Sequence, residues 1–218
     1  MIRRLAAFAA LLLAAPLALA QGAVSTGFAG THASRGAFVD VAATSALSVT
    51  SFAMNLASGP VTVTVYRKTA LGATTSGDTT NAGAWTQVAV VSVTGNGPGT
   101  GTGVGIPSVA VGAGQTQAFY LVTDADGKIY NANGNITTAS NASMSITGAW
   151  ESHGLFSSTY NGWGFQGTVC YNGADCGAVT PVPPPQALQP IPTLSEWAMI
   201  AMSMALAGMA LLRLRRRG

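Results

Sequence analysis

Charged side chains are scarce in this sequence of 218 residues. Asp, Glu, Lys and Arg make up 8% of it, whereas about 25% is typical of a soluble domain. Most of the basic residues lie at the two ends, and between residues 21 and 190 four basic side chains stand against six acidic ones. Domains that bind nucleic acid carry clustered basic side chains. The charge distribution therefore excludes a nucleic-acid partner.

The sequence also lacks the common catalytic motifs. It contains no Gly-x-Ser-x-Gly, no His-Glu-x-x-His and no phosphate-binding loop. The glycine-rich run 95–105 does not fit the Gly-x-Gly-x-x-Gly spacing, so we expect a flexible hairpin loop there. Glu151 and His153 could form an acid–base pair. A glycosidase needs two carboxylates that face each other across the scissile bond, and nothing in the sequence pairs Asp40 with Glu151. We therefore predict no catalytic residue and no enzyme.

The N-terminus has the pattern of a secretory signal peptide over residues 1–20. Two arginines, Arg3 and Arg4, precede an apolar segment, and the small residues Ala18 and Ala20 form an A-x-A site before Gln21. Signal peptidase is the expected partner, and the mature chain is expected to begin at Gln21. Export places the remainder of the chain in an oxidising compartment.

Cysteine occurs only twice, at Cys170 and Cys176, within a short polar segment. In an oxidising compartment a local disulfide is the simplest interpretation. A metal site built on two cysteines would need further ligands, and His32 and His153, the two histidines, are far away in sequence. We therefore predict a disulfide, no metal site and no cofactor.

The segment Asp124-Ala125-Asp126-Gly127 resembles the start of a calcium-binding loop. The residues that follow do not continue the EF-hand order of ligands. The preferred interpretation is a tight turn between a strand at 116–123 and a second one at 128–130. An irregular calcium site that also uses Asn131, Asn133 or Asn135 stays open.

The C-terminal region differs in composition from the rest. Six of the ten prolines lie between residues 181 and 192, so 177–190 is predicted to be an extended linker. An uncharged apolar run, 198–212, follows Trp197, and it ends at the basic residues Arg213, Arg215, Arg216 and Arg217. This pattern predicts one transmembrane helix whose arginines stay cytoplasmic, with residues 21–190 outside.

Residues 191–218 resemble the IPTL-CTERM sorting domain, which has an Ile-Pro-Thr-Leu-x-x-Trp-Gly motif, an apolar helix and a basic end. The matching residues are Ile191, Pro192, Thr193, Leu194 and Trp197, while Ala198 replaces the usual glycine. The resemblance implies that a membrane-embedded exosortase processes the tail. It also implies a Gram-negative bacterium, transient anchoring in its inner membrane, and final placement at the cell surface or in the extracellular matrix.

The region between the two ends, 21–176, is predicted to be an antiparallel β-sandwich. Apolar and polar residues alternate strictly over 61–66, and the alternation shifts near Ser51 in the segment 46–56, which indicates a β-bulge. Further strands are predicted at 37–42, 85–94, 116–123, 144–147 and 165–171. The region also loosely resembles the jelly-roll domains of secreted bacterial surface proteins, on the segments 38–41, 61–66, 114–120 and 161–165 and on Trp85.

Aromatic residues concentrate among small polar ones between residues 150 and 163. Exposed aromatic faces beside hydrogen-bonding groups suit the apolar faces and polar rims of sugars. Trp150, Tyr160 and Trp163 are therefore candidate glycan contacts, unless these aromatics close one end of the core. Three functions remain: a non-catalytic surface or matrix protein, which we favour; a carbohydrate-binding module or adhesin that binds surface polysaccharide; and a secreted glycan hydrolase.

Overall fold

The structure is a computed structural model, and it describes residues 20–179, with side chains to residue 177. The chain divides into two compact units, 1–181 and 182–218, and the described residues belong to the first. Among them no helix is long and apolar enough to cross a membrane. Outside the described residues lie 1–19 of the predicted signal peptide, the linker beyond residue 179, the predicted transmembrane helix and the sorting motif. Ala20 and Gln21 immediately precede the first strand.

Strands dominate the described part of the chain. Their bounds are β1 Gly22–Ser25, β2 His32–Ser34, β3 Gly36–Ala43, β4 Leu47–Asn55, β5 Gly59–Lys68, β6 Trp85–Gly95, β7 Gly101–Val111, β8 Thr116–Thr123, β9 Ile129–Asn131, β10 Thr137–Ser140, β11 Met144–Gly154, β12 Ser157–Asn161, β13 Gly167–Tyr171 and β14 Ala178–Val179. One turn of helix, α1 (Ser76–Thr79), and a short 3₁₀ helix, Ala82–Ala84, lie between β5 and β6.

The strands form two large sheets and one small one. One large sheet has the order β1-β13-β4-β7-β14, and the other has the order β10-β11-β3-β8-β5-β6, with β12 paired to β11. Strands β2 and β9 form the small sheet. Neighbouring strands are antiparallel except β14 and β7, which are parallel. For the described residues, the prediction of an all-β domain with antiparallel sheets is confirmed.

The two large sheets share one hydrophobic core. Alternation along β5 buries Val61, Val63 and Val65, as the sequence pattern predicts. Across the core, the ring of Phe52 from β4 meets the ring of Phe119 from β8 with centroids 5.3 Å apart. Since these strands belong to different sheets, the contact joins the two layers directly.

A second, smaller aromatic cluster covers the opposite face of the larger sheet. Phe38 stacks on Tyr120 at a centroid distance of 4.2 Å, and Trp85 packs beside both. The indole nitrogen of Trp85 donates to the carbonyl of Asp78 in α1. Burial raises the pKa of Tyr120 to about 12, and its hydroxyl bonds the Ser152 hydroxyl at 2.8 Å. This cluster fixes β11 against β8 and β3.

Two local predictions are confirmed. The register of β4 shifts at residues 49–51 against both β7 and β13, so the bulge near Ser51 is present. Cys170 and Cys176 form a disulfide, with Cα atoms 5.9 Å apart. The bridge ties the end of β13 to the turn that follows it.

The glycine-rich run 95–105 is not the flexible loop that the sequence predicts. Strand β7 already begins at Gly101 and pairs with β4. A β-carbon added at Gly101 would lie 2.7 Å from the ring of Phe28. This glycine therefore permits a close approach of side chain to backbone within a sheet, which is a recognised role of glycine in strands. Only 96–100 form the turn between β6 and β7.

Candidate functional site

A β-bulge in β11 positions the acidic residue of the site. Before the bulge, Met144 and Ile146 point into the core opposite Ala43 and Val41. The register then shifts between Thr147 and Trp150, and Glu151 lies opposite Ala37, on the core side. The bulge therefore reverses which residues face inward, and it places a carboxylate that is 1% exposed at one end of the core.

The small β2–β9 sheet supplies the partners of this carboxylate. His32 and Asn131 are direct cross-strand neighbours, so their side chains emerge on the same face. Nδ2 of Asn131 donates to the Ser34 hydroxyl at 2.8 Å and lies 3.5 Å from Oε2 of Glu151. Nε2 of His32 lies 3.0 Å from Oε1 of Glu151. Asn131 thus contacts one carboxylate oxygen of Glu151, and His32 contacts the other.

His153 approaches the same oxygen from the other side. Its Nε2 atom lies 3.4 Å from Oε1 of Glu151. Its Nδ1 atom contacts both carboxylate oxygens of Asp126, at 3.1 and 3.0 Å. Because the Asp126 oxygens only accept hydrogen bonds, Nδ1 carries a proton. The Nε2 atoms of two imidazoles therefore converge on one buried carboxylate oxygen.

The electrostatics of this cluster are unusual. Burial raises the pKa of Glu151, and the neighbouring His32, Asn131 and His153 offset that effect only in part. Burial also works to lower the pKa of His153, but the hydrogen bond and charge of Asp126, together with Glu151, outweigh it and raise this pKa. Such a site favours a positive charge between the imidazoles and the carboxylates, carried either by a proton or by a cation.

Two aromatic side chains form the walls around these polar groups. The ring of Trp163 lies over that of His32 at a centroid distance of 3.8 Å, and Tyr160 meets His153 edge to face at 5.8 Å. Tyr160 is 52% exposed. Together with Glu151 they line an open cleft of about 340 Å³, so an apolar wall and hydrogen-bonding groups are available to the same ligand.

Of the three predicted glycan contacts, the structure brings together Tyr160 and Trp163. Trp150 lies directly opposite Phe38 and packs against the aromatic cluster on the other face of the sheet. Phe156 also packs there. Trp150 and Phe156 therefore pack against the smaller aromatic cluster and do not close an end of the core between the two sheets, as the alternative predicted. The glycan hypothesis retains Tyr160 and Trp163.

The acidic pair near residue 125 has a different setting from a calcium loop. Asp124 is exposed, and Asp126 is engaged by His153. Of the proposed asparagine ligands, Asn131 is buried against Glu151, and the Asn135 amide bonds the Asn133 carbonyl. The chain does turn at Gly127, whose φ is 74°. The predicted turn between two strands is therefore present, and the strand that follows it, β9, pairs with β2.

Asp40, the other carboxylate considered from the sequence, lies apart from Glu151. Both of its oxygens accept hydrogen bonds from Thr74, at 2.7 to 3.1 Å. It is paired across the sheet with Thr147 on β11, which precedes the bulge. Glu151 is instead linked through His153 to another acidic residue, Asp126. The sequence did not indicate this link.

Comparison with known proteins bears on the tail alone. The family model of the IPTL-CTERM motif matches residues 189–216. The resemblance seen in the sequence is thereby confirmed, and the tail is a C-terminal sorting signal of the kind found in exported proteins that exosortase processes. No curated protein matches the chain.

Proposed function

We propose that this chain is an exported, non-catalytic protein of the cell surface or extracellular matrix, delivered by its C-terminal sorting signal. The match to the IPTL-CTERM motif at residues 189–216 carries this proposal. The predicted signal peptide at 1–20 supplies export, and exosortase is the expected partner in the inner membrane of a Gram-negative host. The proline-rich linker then separates the delivered domain from the membrane-directed tail.

The strand order supports a jelly-roll interpretation of the delivered domain. Eight strands taken in chain order are β1, β3, β4, β5, β6, β7, β8 and β13. Numbered one to eight, they form the sheets 1-8-3-6 and 5-4-7-2, the pairing of a double-sheet jelly roll. Strand β11 extends the second sheet beside β3, and it is this additional strand that carries Glu151 and His153.

Disrupting the sorting motif is expected to stop delivery. Leu194→Asp places a charge in the motif that the processing enzyme is expected to recognise, and Pro183→Ala in the linker is the matched control. In the native host, the Leu194 variant should remain in the inner-membrane fraction, while the control reaches the surface or medium like the unaltered chain. Equal delivery of both variants, measured by immunoblotting of the fractions, would contradict the proposal.

Carbohydrate binding is the second candidate function, because the cleft combines Trp163 and Tyr160 with hydrogen-bonding side chains. Trp163→Ala and Tyr160→Ala should each abolish retention on the host's surface polysaccharide without loss of folding. Trp150→Ala is the matched control, since Trp150 packs on the opposite face of the sheet. Unchanged retention of the folded Trp163 and Tyr160 variants on a polysaccharide column would end this hypothesis.

Glycan hydrolysis is the least favoured function, and it is tested at the same cleft. Any turnover of an envelope polymer should depend on Glu151, the buried carboxylate. A broad glycan screen of the purified chain is expected to show no turnover. Turnover that disappears in Glu151→Gln would overturn the non-catalytic assignment.

A further inference from the structure

We propose that His32, Glu151 and His153 bind one divalent first-row transition-metal ion, with Zn²⁺ as the best match to the ligand set. These residues offer two imidazole nitrogens and one carboxylate oxygen that all lie within 4.8 Å of one another. This inference goes beyond the proposed sorting function and does not rest on it. It concerns a metal ion bound by the delivered domain, and it is independent of the final location of that domain.

The distances between the ligand atoms fit a coordination sphere. Ligands about 2.0–2.1 Å from a tetrahedral zinc ion are roughly 3.3 Å apart. Oε1 of Glu151 lies 3.0 Å from Nε2 of His32 and 3.4 Å from Nε2 of His153. The ligand atoms of the two histidines lie within 4.8 Å of each other, so an ion fits among the three atoms once the two imidazoles approach each other.

Hydrogen bonds orient two of the three ligands, and the ring of Trp163 lies over the third, His32. Asp126 holds the Nδ1 proton of His153, which leaves the Nε2 lone pair directed at the site when the ring is neutral. A carboxylate on the second nitrogen of a ligating histidine is a recurrent feature of metal sites, and it makes the histidine a better ligand. Asn131 contacts only Oε2 of Glu151, so Oε1 stays available to the ion.

The choice of metal follows from the chemistry of the donors. Nitrogen and carboxylate ligands suit Zn²⁺ and its first-row neighbours, whereas soft thiolate ligands would favour Cu(I). Both cysteines of the chain are joined in the disulfide. Three protein ligands at the base of an open cleft leave a fourth position for water or for an oxygen of a bound ligand. Trp163 and Tyr160 stand beside that position.

A bound proton is the competing explanation of the same geometry. If His153 is an imidazolium, it donates one hydrogen bond to Asp126 and another to Glu151, and no metal is needed. The two explanations differ in a measurable way, because an ion must displace that proton and must also engage His32. Stoichiometric uptake with two imidazoles in the coordination shell is possible only for the metal site.

The test uses the full chain, purified in detergent with a histidine-free affinity tag and stripped with EDTA. The chain has only two histidines, so such a tag keeps the background low. Titration with ZnCl₂, followed by calorimetry and elemental analysis, should show one ion per chain. His32→Ala and His153→Ala should each weaken binding by about 100-fold or more, and Asp126→Asn by about 10- to 100-fold. The exposed neighbour Asp124→Asn should leave the affinity unchanged.

Folding of each variant is checked by near-ultraviolet circular dichroism, since a side chain at the cleft can also matter to structure. Should a histidine variant fail to fold, zinc K-edge X-ray absorption of the unaltered chain decides the question without any substitution. The proposal predicts a shell of nitrogen and oxygen with two imidazoles and no sulfur. Absence of saturable uptake, unchanged uptake in both folded histidine variants, or a shell without imidazole would overturn it.

Discussion

Phe119→Ala is expected to lower the free energy of unfolding by about 3–5 kcal/mol. The side chain is fully buried and contacts Phe52 from the facing sheet. Truncation removes a large apolar area from the core and leaves a cavity between two layers of strands that can close only by moving whole sheets. Chemical denaturation of the purified chain, followed by tryptophan fluorescence, measures the change.

Val90→Ala is the matched control for that measurement. Val90 lies on β6 of the same sheet but is 52% exposed. Removal of its two methyl groups should change the free energy of unfolding by no more than about 0.5 kcal/mol. A Phe119→Ala effect as small as that of the control would mean that the two sheets do not share the core described above.

Gly148→Ala is expected to destabilise the chain by about 3 kcal/mol, the upper end of the usual cost of overpacking. A β-carbon at this position would clash with the backbone nitrogen of Phe165 and would lie 2.7 Å from the Cβ atom of that residue. Backbone, rather than the flexible end of a side chain, would have to move. Because Gly148 is in the bulge of β11, the movement should also displace Glu151, so the variant should lose zinc affinity together with stability.

Gly77→Ala provides the same chemical change where space is available. The nearest atom to its added β-carbon is the Thr75 hydroxyl oxygen, at 3.9 Å, and the residue is exposed in α1. Alanine there should be neutral or should stabilise the chain by up to about 1 kcal/mol. Thermal unfolding of both variants separates a specific clash at Gly148 from a general effect of replacing glycine, and equal stability of the two would contradict the packing around the bulge.

The strands were predictable where the sequence alternates. The valines of β5 give a periodicity of two that local pattern alone reveals, and the shift near Ser51 marked a real bulge. Strand β7 escaped prediction because it begins in a glycine-rich run, in which Gly101 permits close packing against Phe28. Glycine in a strand and glycine in a loop look the same in a sequence when the contact that requires it is distant.

The cleft could be predicted only in part, for a related reason. Glu151 and His153 are neighbours in sequence and were considered together, as were Tyr160 and Trp163 as ligand contacts. His32 and Asp126 could not be assigned to the same place, because only the β2–β9 pairing and the bulge in β11 bring them there. The same bulge changes which residues of β11 face inward, so Glu151 lines the cleft and Trp150 lies on the other side of the sheet. A histidine and a carboxylate well separated in sequence gave no signal of convergence.

Terminal-peptide mass spectrometry of the protein from its native host shows whether the tail is processed as a sorting signal. The membrane, surface and medium fractions are digested separately, and the first and last peptides of the chain are identified in each. If the chain is delivered through its sorting signal, we expect a chain in the surface or medium fraction that begins at Gln21 and ends near the motif at 191–194. A chain that still ends at Gly218 and occurs only in the inner membrane would contradict it, because the tail would then be a permanent anchor and not a processed sorting signal.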